Sequence, residues 1–410
     1  MLQSLVFFAV MLFIYGTVEF YGWQALKTAF QPQNLNAARM IYWGLSGTLL
    51  AFVILYRKYL YGVFPRTLAS YILLLFVILI LSKIIVLLFL FPEDVVRLFR
   101  TGIAKLSTTP AVAGGITRSE FLSRAALIAA AIPAGTLIYG VLVNAYNYQF
   151  RRVSIKFPNL PDAFHGFKII QLSDIHSGSF TKTGPIEKVI KQINAAEADV
   201  VLFTGDLVNN VADEMEPFMN VFDKIKAKHG VLSITGNHDY GDYVQWDTPA
   251  DKKANFKKFT DTHKNLGWDL LLNEHRILER DGQKIAIIGV ENYGGGHFAK
   301  YGKFPEAYKG TEEVPFKILM SHDPSSWDNK IRHEYPETDL TLSGHTHGAQ
   351  FGVENKWLKW SPSQYIYKQW AGLYNEGKQF LYVNRGFGFL FYPGRVGILP
   401  EVTEITLLKG

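Results

Sequence analysis

Cysteine is absent from the 410-residue chain. Its absence excludes disulfides and thiolate metal ligands, and it leaves the redox compartment unmarked. Basic residues nowhere interleave with aromatics in a stripe, so no nucleic-acid partner is expected, despite a net charge of +6. No internal repeat is visible. Charge is scarce: charged residues make up 19% of the chain and hydrophobic ones 48%, the latter concentrated in the first 150 positions. The average therefore hides two different materials. The small positive excess suits anionic headgroups and phosphate-bearing substrates. The length suits two or three domains of roughly 100–200 residues.

Four apolar stretches come first, at about 4–23, 38–56, 69–91 and 122–146. Each approaches or exceeds the ~18–20 residues that cross hydrocarbon. The first has no basic n-region and no small-residue cleavage site, so it reads as a span and not a signal peptide. The second is interrupted by Gly44, Ser46 and Gly47, tolerated where membrane helices pack closely. Lys83 falls near the middle of the third and Glu19 at similar depth in the first. A bare ammonium there is costly, so an ion pair between the two is expected; the alternative is that Lys83 snorkels or contacts Ser82. Residues 93–106 carry apolar positions at helical spacing opposite Arg97, Arg100 and Lys105. They read as a basic helix lying on the membrane surface, or as an amphipathic connector. Residues 107–120 read as a loop. The division expected is a membrane helical domain at 1–148 and a second domain at 149–410.

From about residue 150 onward, short apolar runs alternate with amphipathic helical patterns, the mark of an α/β domain. KIIQLSD, DVVLFTGD, GVLSITGNHD, FKILMSHDP and DLTLSGHTHG read as strands running into loops, PIEKVIKQINAAEA and EPFMNVFDKIKAK as helices, and the segment around Asp281-Gly282 as a hairpin turn. The polar residues gather where strands end: Asp174 and His176, then Asp206, then Asn237, His238 and Asp239, then His322, then His345 and His347. Loops at strand C-termini converge on ligand sites in α/β sheets. Carboxylates, an amide and imidazoles together suit divalent Mn, Fe, Zn or Ni. In an extended segment, residues i and i+2 face the same way, so Asp-x-His and His-x-His would each aim at one ion. Glycine before Asp206, Asn237 and His345 permits tight turns. A lone histidine at a strand end is usually an ordinary polar or core residue; the ordered set is what carries the signal.

That set, Asp-x-His, Gly-Asp, Gly-Asn-His-Asp, an isolated His and then Gly-His-x-His, resembles the calcineurin-like metallophosphoesterases over roughly 165–410. The SGHTHG and YVNRGFG segments are similar to the bacterial membrane-associated branch that includes the YkuE and YaeI phosphodiesterases. The resemblance implies a four-layer α/β/β/α sandwich with two divalent metal ions. It implies that Asp174, His176 and His347 hold one ion, that Asn237, His322 and His345 hold the other, and that Asp206 bridges them. It further implies His238 as general acid or phosphate contact, oriented by Asp239. Asn209, Asp323 and Ala349 stand where relatives often have Asp, Asn and Gly, a departure that bears on substrate. Two such ions generate a nucleophile at neutral pH and neutralise charge on phosphorus. The function expected is hydrolysis of a phosphomonoester or phosphodiester, lipid-linked in one version, with membrane lipids as the other partner. The competing readings are a non-catalytic scaffold of the same fold and an accessory domain of a transporter or sensor.

Other features leave two readings each. The loop 293–297 covers the site or is plain surface. Arg385 and Arg395 clamp phosphate or are structural. The aromatic stretch Trp357, Trp360, Tyr365, Tyr367 and Trp370 meets a membrane interface or fills a core. For orientation, a domain outside the cytoplasm leaves seven basic residues inside (Lys27, Arg39, Arg97, Arg100, Lys105, Arg118, Arg124) and six outside (Arg57, Lys58, Arg66, Arg151, Arg152, Lys156). The basic helix at 93–106 tips the expectation toward a bacterial inner-membrane protein with an extracytoplasmic domain. The segment before the fourth span is similar to export signals, without a twin arginine.

Overall fold

The computed structural model describes residues 2–56, 66–104, 118–296 and 298–410. The chain divides into two compact units, Met1–Tyr139 and Gly140–Gly410.

The first unit is helical. Helices α1 (Leu2–Phe30), α2 (Leu35–Leu55), α3 (Arg66–Ala104) and α4 (Arg118–Leu142) follow the four apolar stretches. Among the described residues, three helical segments are long and apolar enough to cross a membrane: Leu35–Leu55, Leu68–Phe99 and Ser119–Tyr146. Asn34 caps α2, its side chain accepting the Ala37 N–H at 3.0 Å. The expected surface helix at 93–106 is instead, as far as Ala104, the continuation of α3, which passes through Pro92 without ending. Lys105, Leu106 and most of the expected loop at 107–120 lie outside the described residues.

Helices α1, α2 and α3 meet at a buried polar knot. Lys83 Nζ lies 2.8 Å from both Glu19 carboxylate oxygens, and Ser46 Oγ donates to Glu19 at 2.8 Å while accepting from Lys83 at 3.0 Å. Tyr42 closes the knot, its hydroxyl donating to the Glu19 carbonyl at 2.9 Å and its ring lying under the ammonium at 4.8 Å. The close approach depends on Gly22, where a Cβ would stand 2.5 Å from the Tyr42 hydroxyl.

The second unit is built on two sheets. Its strands are β1 (Gln149–Phe157), β2 (Phe167–Leu172), β3 (Val200–Phe203), β4 (Val231–Ser233), β5 (Trp268–Leu270), β6 (Glu274–Arg280) and β7 (Gln283–Gly289). They continue as β8 (Lys317–Met320), β9 (Leu340–Ser343), β10 (Val353–Glu354), β11 (Lys359–Trp360), β12 (Gly372–Glu376), β13 (Gln379–Val383) and β14 (Glu401–Lys409). One six-stranded sheet runs β1-β14-β2-β3-β4-β5 and the other β12-β13-β9-β8-β7-β6; β10 and β11 form a separate hairpin. The central strands of each sheet are parallel: β2 to β5 in the first, and β7, β8, β9 and β13 in the second.

An apolar layer containing Ile169, Leu202, Ile287, Ile318 and Leu342 lies between the sheets. Helices α5 (Gly184–Ala195), α6 (Met219–Phe222) and α7 (Pro249–Leu266) supply the outer layer of the first sheet, packing Ile186, Val189, Phe222 and Phe259 onto Ile170 and Phe203. On the second sheet, α8 (Phe304–Tyr308) and a π-turn at Trp327–Ile331 pack Phe304 and Trp327 onto Ile288 and Leu319. This is the four-layer α/β/β/α arrangement. The buried strands are continuous apolar runs because both faces are covered. The helix expected over EPFMNVFDKIKAK is reduced to a 3₁₀ stretch, Ala212–Phe218, and the single turn α6, with Pro217 inside the 3₁₀ part. The turn at Asp281-Gly282 is as expected, with φ of 52° and 71°.

Candidate metal centre

The parallel strands of both sheets point their C-terminal ends at one edge. Beyond β2 come Asp174 and His176, beyond β3 Asp206, beyond β4 Asn237, beyond β8 His322, and beyond β9 His345 and His347. Two clusters result: Asp174 with His176 and His347, and Asp206 with His322 and His345. Asp206 reaches toward both, its Oδ2 lying 3.1 Å from His322 Nε2 and 3.5 Å from His176 Nε2.

The backbone that delivers these groups is not extended. Asp174, His176, Asp206, His345 and His347 have φ between 47° and 70°, the left-handed region that such residues seldom adopt. The expectation from strand alternation that His345 and His347 face one ion is thereby corrected: left-handed turns send them to different clusters, the division that the family resemblance implies. Asp174 and His176 do share a cluster, through turns and not through strand alternation. The preceding glycines act by close approach. A Cβ on Gly344 would stand 2.2 Å from an Asp174 carboxylate oxygen, and one on Gly236 would stand 2.1 Å from Asp206 Oδ1. In their place, backbone N–H groups bind the carboxylates: His345 N donates to Asp174 at 2.9 Å and His238 N to Asp206 at 2.9 Å.

The hydrogen bonds fix which ring atoms remain free. His322 Nδ1 donates to the Thr204 carbonyl at 2.7 Å, which leaves Nε2 facing the Asp206 carboxylate. His176 Nε2 faces His347 Nε2 at 3.0 Å, and His347 Nε2 faces Asp174 at 3.2 Å. Asn237 Nδ2 donates to the Tyr243 hydroxyl at 2.8 Å, while its Oδ1 is buried without a partner. Asn237 Oδ1 and His322 Nε2, both buried without a hydrogen-bond partner, stand with the Asp206 carboxylate where a cation would satisfy all three. The residues present therefore fit divalent metal: hard oxygens and imidazoles, with His322 oriented by a second hydrogen bond to the Thr204 carbonyl, as metal-ligating histidines commonly are.

Electrostatics agree. Burial alone would raise the two carboxyls, but His347 beside Asp174 and His322 beside Asp206 hold both well below the usual range. Burial pushes His176 down to about 3, so it stays neutral. Burial also opposes charge on His322, yet the Asp206 carboxylate outweighs it and lifts the ring to about 10. A proton there takes the place a metal would hold.

His238 stands at the rim, with Nδ1 held by the Asn209 carbonyl at 2.7 Å and its ring against Tyr243 at 4.6 Å. Asp239 does not orient it, contrary to the sequence expectation. Its carboxylate accepts the backbone N–H groups of Gly236, Asp206, Leu207 and Val208 at 2.8, 2.9, 2.9 and 3.3 Å. The side chain folds back into the chain because four amide donors converge there.

Arg385 and Arg395 are both buried and bonded within the protein. Arg385 pairs with Glu401 at 2.6 Å and with Glu354 at 2.5 Å. Arg395 binds the carbonyls of Arg385, Gly386 and Gly388 and comes within 3.3 Å of His347 Nδ1. Within the 293–297 loop, Gly295 N donates to Asp323 at 3.1 Å, and just beyond the loop the Phe298 ring meets His345 edge-on at 4.8 Å; His297 lies outside the described residues. Tyr367 also belongs to the site, its hydroxyl 2.7 Å from His345 Nε2. Tyr243 was the residue the motif reading missed; it has no glycine or histidine signature, only its place six residues after Asn237.

Residues 167–349 match the calcineurin-like phosphoesterase family, and residues 3–145 match a transmembrane domain described as that of a probable calcineurin-like phosphoesterase. The chain is 30% identical over 307 residues to the uncharacterized metallophosphoesterase YkuE of Bacillus subtilis, covering 98% of that protein and 71% of this one. It is 28% identical to a Danio rerio transmembrane protein with metallophosphoesterase domain, covering 73% of this chain and 65% of that one. It is also 28% identical to the UDP-2,3-diacylglucosamine pyrophosphatase LpxG of Chlamydia trachomatis, covering 63% of this chain and 89% of that one. The chain belongs to the calcineurin-like metallophosphoesterase family. It is a membrane protein and a metal-dependent phosphoric ester hydrolase.

Proposed function

We propose that the chain hydrolyses a lipid-linked phosphoester at a two-metal centre, as a bacterial inner-membrane protein with its second unit outside the cytoplasm. The observation that carries the two-metal reading is the place of Asp206, within 3.5 Å of one histidine from each cluster. In this reading Asp174, His176 and His347 hold one ion, and Asn237, His322 and His345 hold the other. Asp206 is shared. Bound there, the ions supply an activated water and neutralise charge at phosphorus. The neutral Asn237 leaves the second position more electropositive toward substrate oxygens.

The chain's own residues supply the rest. The Asn209 carbonyl fixes the proton on His238 Nδ1, so Nε2 is the atom that exchanges a proton with the leaving oxygen. Tyr243 holds the Asn237 amide and backs the His238 ring, tying the acid group to a metal ligand. Tyr367 holds the His345 ring through Nε2. Asp239 organises the Asp206 turn and takes no part in proton transfer. The lipid-linked substrate is supported by the membrane segments and by the likeness to LpxG, whose name specifies a diacylated nucleotide sugar.

The test is a screen of phospholipids, nucleotide-linked lipids and aryl phosphate esters with added Mn, on the full chain. Turnover should require both divalent metal and Asp206. Undiminished turnover after thorough metal stripping would end the reading. A reporter fused at Gly410 that works only in the cytoplasm would reverse the orientation.

A further inference from the structure

The second unit carries an apolar surface that its own core leaves uncovered. At the tip of the β10–β11 hairpin, Trp357 is 83% exposed and Leu358 51% exposed. The tip is tied by Asn355, whose side chain accepts the N–H groups of both. Tyr365 and Ile366, 76% and 79% exposed, follow on a short 3₁₀ turn at Pro362–Tyr365. Phe391, at 88%, is the most exposed of the described large apolar side chains. Elsewhere in this unit, beyond the same segment and the end of α4, the described large apolar residues that are exposed are scattered singly: Tyr243, Ile277 and Leu373. Scattered residues need no explanation, but a clustered set does.

These segments are bound to one another and to the end of the last membrane helix. Trp360 donates to the Tyr365 hydroxyl at 3.3 Å, joining hairpin and turn. Gly352 N donates to the Val396 carbonyl at 2.9 Å, and Gln350 bonds the backbone of Leu390, Tyr392 and Gly394. That loop in turn holds Gly140: Arg395 N donates to the Gly140 carbonyl at 3.1 Å. Neither glycine at the contact admits a side chain. A Cβ on Gly394 would stand 2.7 Å from the Gly140 carbonyl, and one on Gly140 would stand 2.2 Å from the Tyr392 hydroxyl. Gly140 lies inside the candidate span Ser119–Tyr146.

We propose that Trp357, Leu358, Tyr365, Ile366 and Phe391 form a docking surface that sits in the headgroup layer of the bilayer the chain itself spans. The occupant is lipid because this surface is fastened to the end of a membrane helix, which keeps it close to the bilayer surface. Its composition agrees: Trp and Tyr favour the membrane interface, and Lys356, whose Nζ lies 4.6 Å from the Trp357 ring centre, suits anionic headgroups. The surface also reaches the site. Ile366 is followed by Tyr367, whose hydroxyl bonds His345 at 2.7 Å. A phosphoester anchored in the same leaflet is thereby brought to the metal centre without leaving the membrane. This rests on the proposed function for its purpose, but the surface itself can be tested without catalysis.

The absence of cysteine makes the test clean. Full-length Trp357→Cys, Ile366→Cys and Lys284→Cys variants are labelled with a polarity-sensitive fluorophore and reconstituted into phosphatidylethanolamine–phosphatidylglycerol vesicles carrying shallow nitroxide lipids. Lys284 is exposed near the start of β7, at the strand end away from the site. Labels at 357 and 366 should shift to the blue and be quenched, and the label at 284 should do neither. Water-like emission at all three positions would overturn the proposal. So would a blue shift that appears in detergent as protein concentration rises, which identifies a second copy as the occupant. In a second arm, the Trp357→Ser/Ile366→Ser double variant should lose several-fold in turnover of a vesicle-borne phospholipid while keeping its rate on nitrophenyl phosphate. Equal losses on both would count against the surface. The fluorescence arm decides even for a chain that turns over neither substrate, which separates failure here from failure of the phosphoesterase reading.

Discussion

Lys83 and Glu19 form a two-pronged ion pair between α3 and α1, with 2.8 Å from the ammonium to each carboxylate oxygen. Both side chains are buried, and Ser46 bonds each of them. Breaking a buried pair from one side leaves an unpaired charge, at a cost of about 3–5 kcal/mol. Glu19→Gln and Lys83→Met should each destabilise the protein in detergent, and the double variant should recover much of the loss. Simple additivity of the two effects in a double-mutant cycle would refute the coupling.

The shared position of Asp206 leads to a metal prediction. Two divalent ions should bind per chain by elemental analysis, and Asp206→Asn or His345→Ala should abolish hydrolysis while the fold, followed by circular dichroism, persists. A variant that keeps both its ions and its rate would remove Asp206 from the centre.

His238 should matter more for turnover than for metal loading. His238→Ala is expected to lower the rate by about 10²–10⁴-fold, the span of a lost acid–base group. The loss should be smaller for nitrophenolate, which needs less protonation to leave. Equal losses for good and poor leaving groups would reduce His238 to a substrate contact.

Asp239 should behave differently, because it holds four backbone amides and not the His238 ring. Asp239→Asn turns an amino group toward some of those donors and leaves N–H groups unsatisfied, at a cost of about 1–3 kcal/mol each. Lower melting temperature and weaker metal retention are expected, with no change in the dependence on leaving group. A selective loss for poor leaving groups would restore the orienting role.

Acid stability should track the buried pair of Arg385 and Glu401, 2.6 Å apart. Burial alone would raise the Glu401 carboxyl, but Arg385 and Arg151 outweigh it and hold it below the ordinary 4.5. A carboxyl lowered on folding contributes stability that is complete above its unfolded value and is lost as pH falls through the folded one. Unfolding curves for wild type and Glu401→Gln should therefore diverge above about pH 4.5 and converge below it. A gap unchanged at low pH would mean that the substitution acts through packing alone.

Much of this was legible locally. Membrane segments announce themselves by length and apolarity, and buried strands by short apolar runs that break off at polar residues. The order Asp174, His176, Asp206, Asn237, His322, His345 and His347 is a matter of residue type and spacing, so the sequence by itself determined which polar side chains follow the strand ends at one sheet edge. Even the Glu19–Lys83 pair could be read from equal depth in two apolar stretches. What only the tertiary structure decided involves groups far apart in sequence or turned by uncommon backbone angles. Left-handed φ at His345 and His347 divides neighbours between two clusters, where alternation had suggested one. The His322 tautomer is set by a carbonyl 118 residues away, at Thr204. Asp239 turns inward because four amides from two loops converge on it. Whether α3 stopped at Pro92 or ran on to Ala104 was likewise decided by the folded chain. Periodicity reports the faces a segment offers, but hydrogen-bond partners are chosen only when loops from different strands meet.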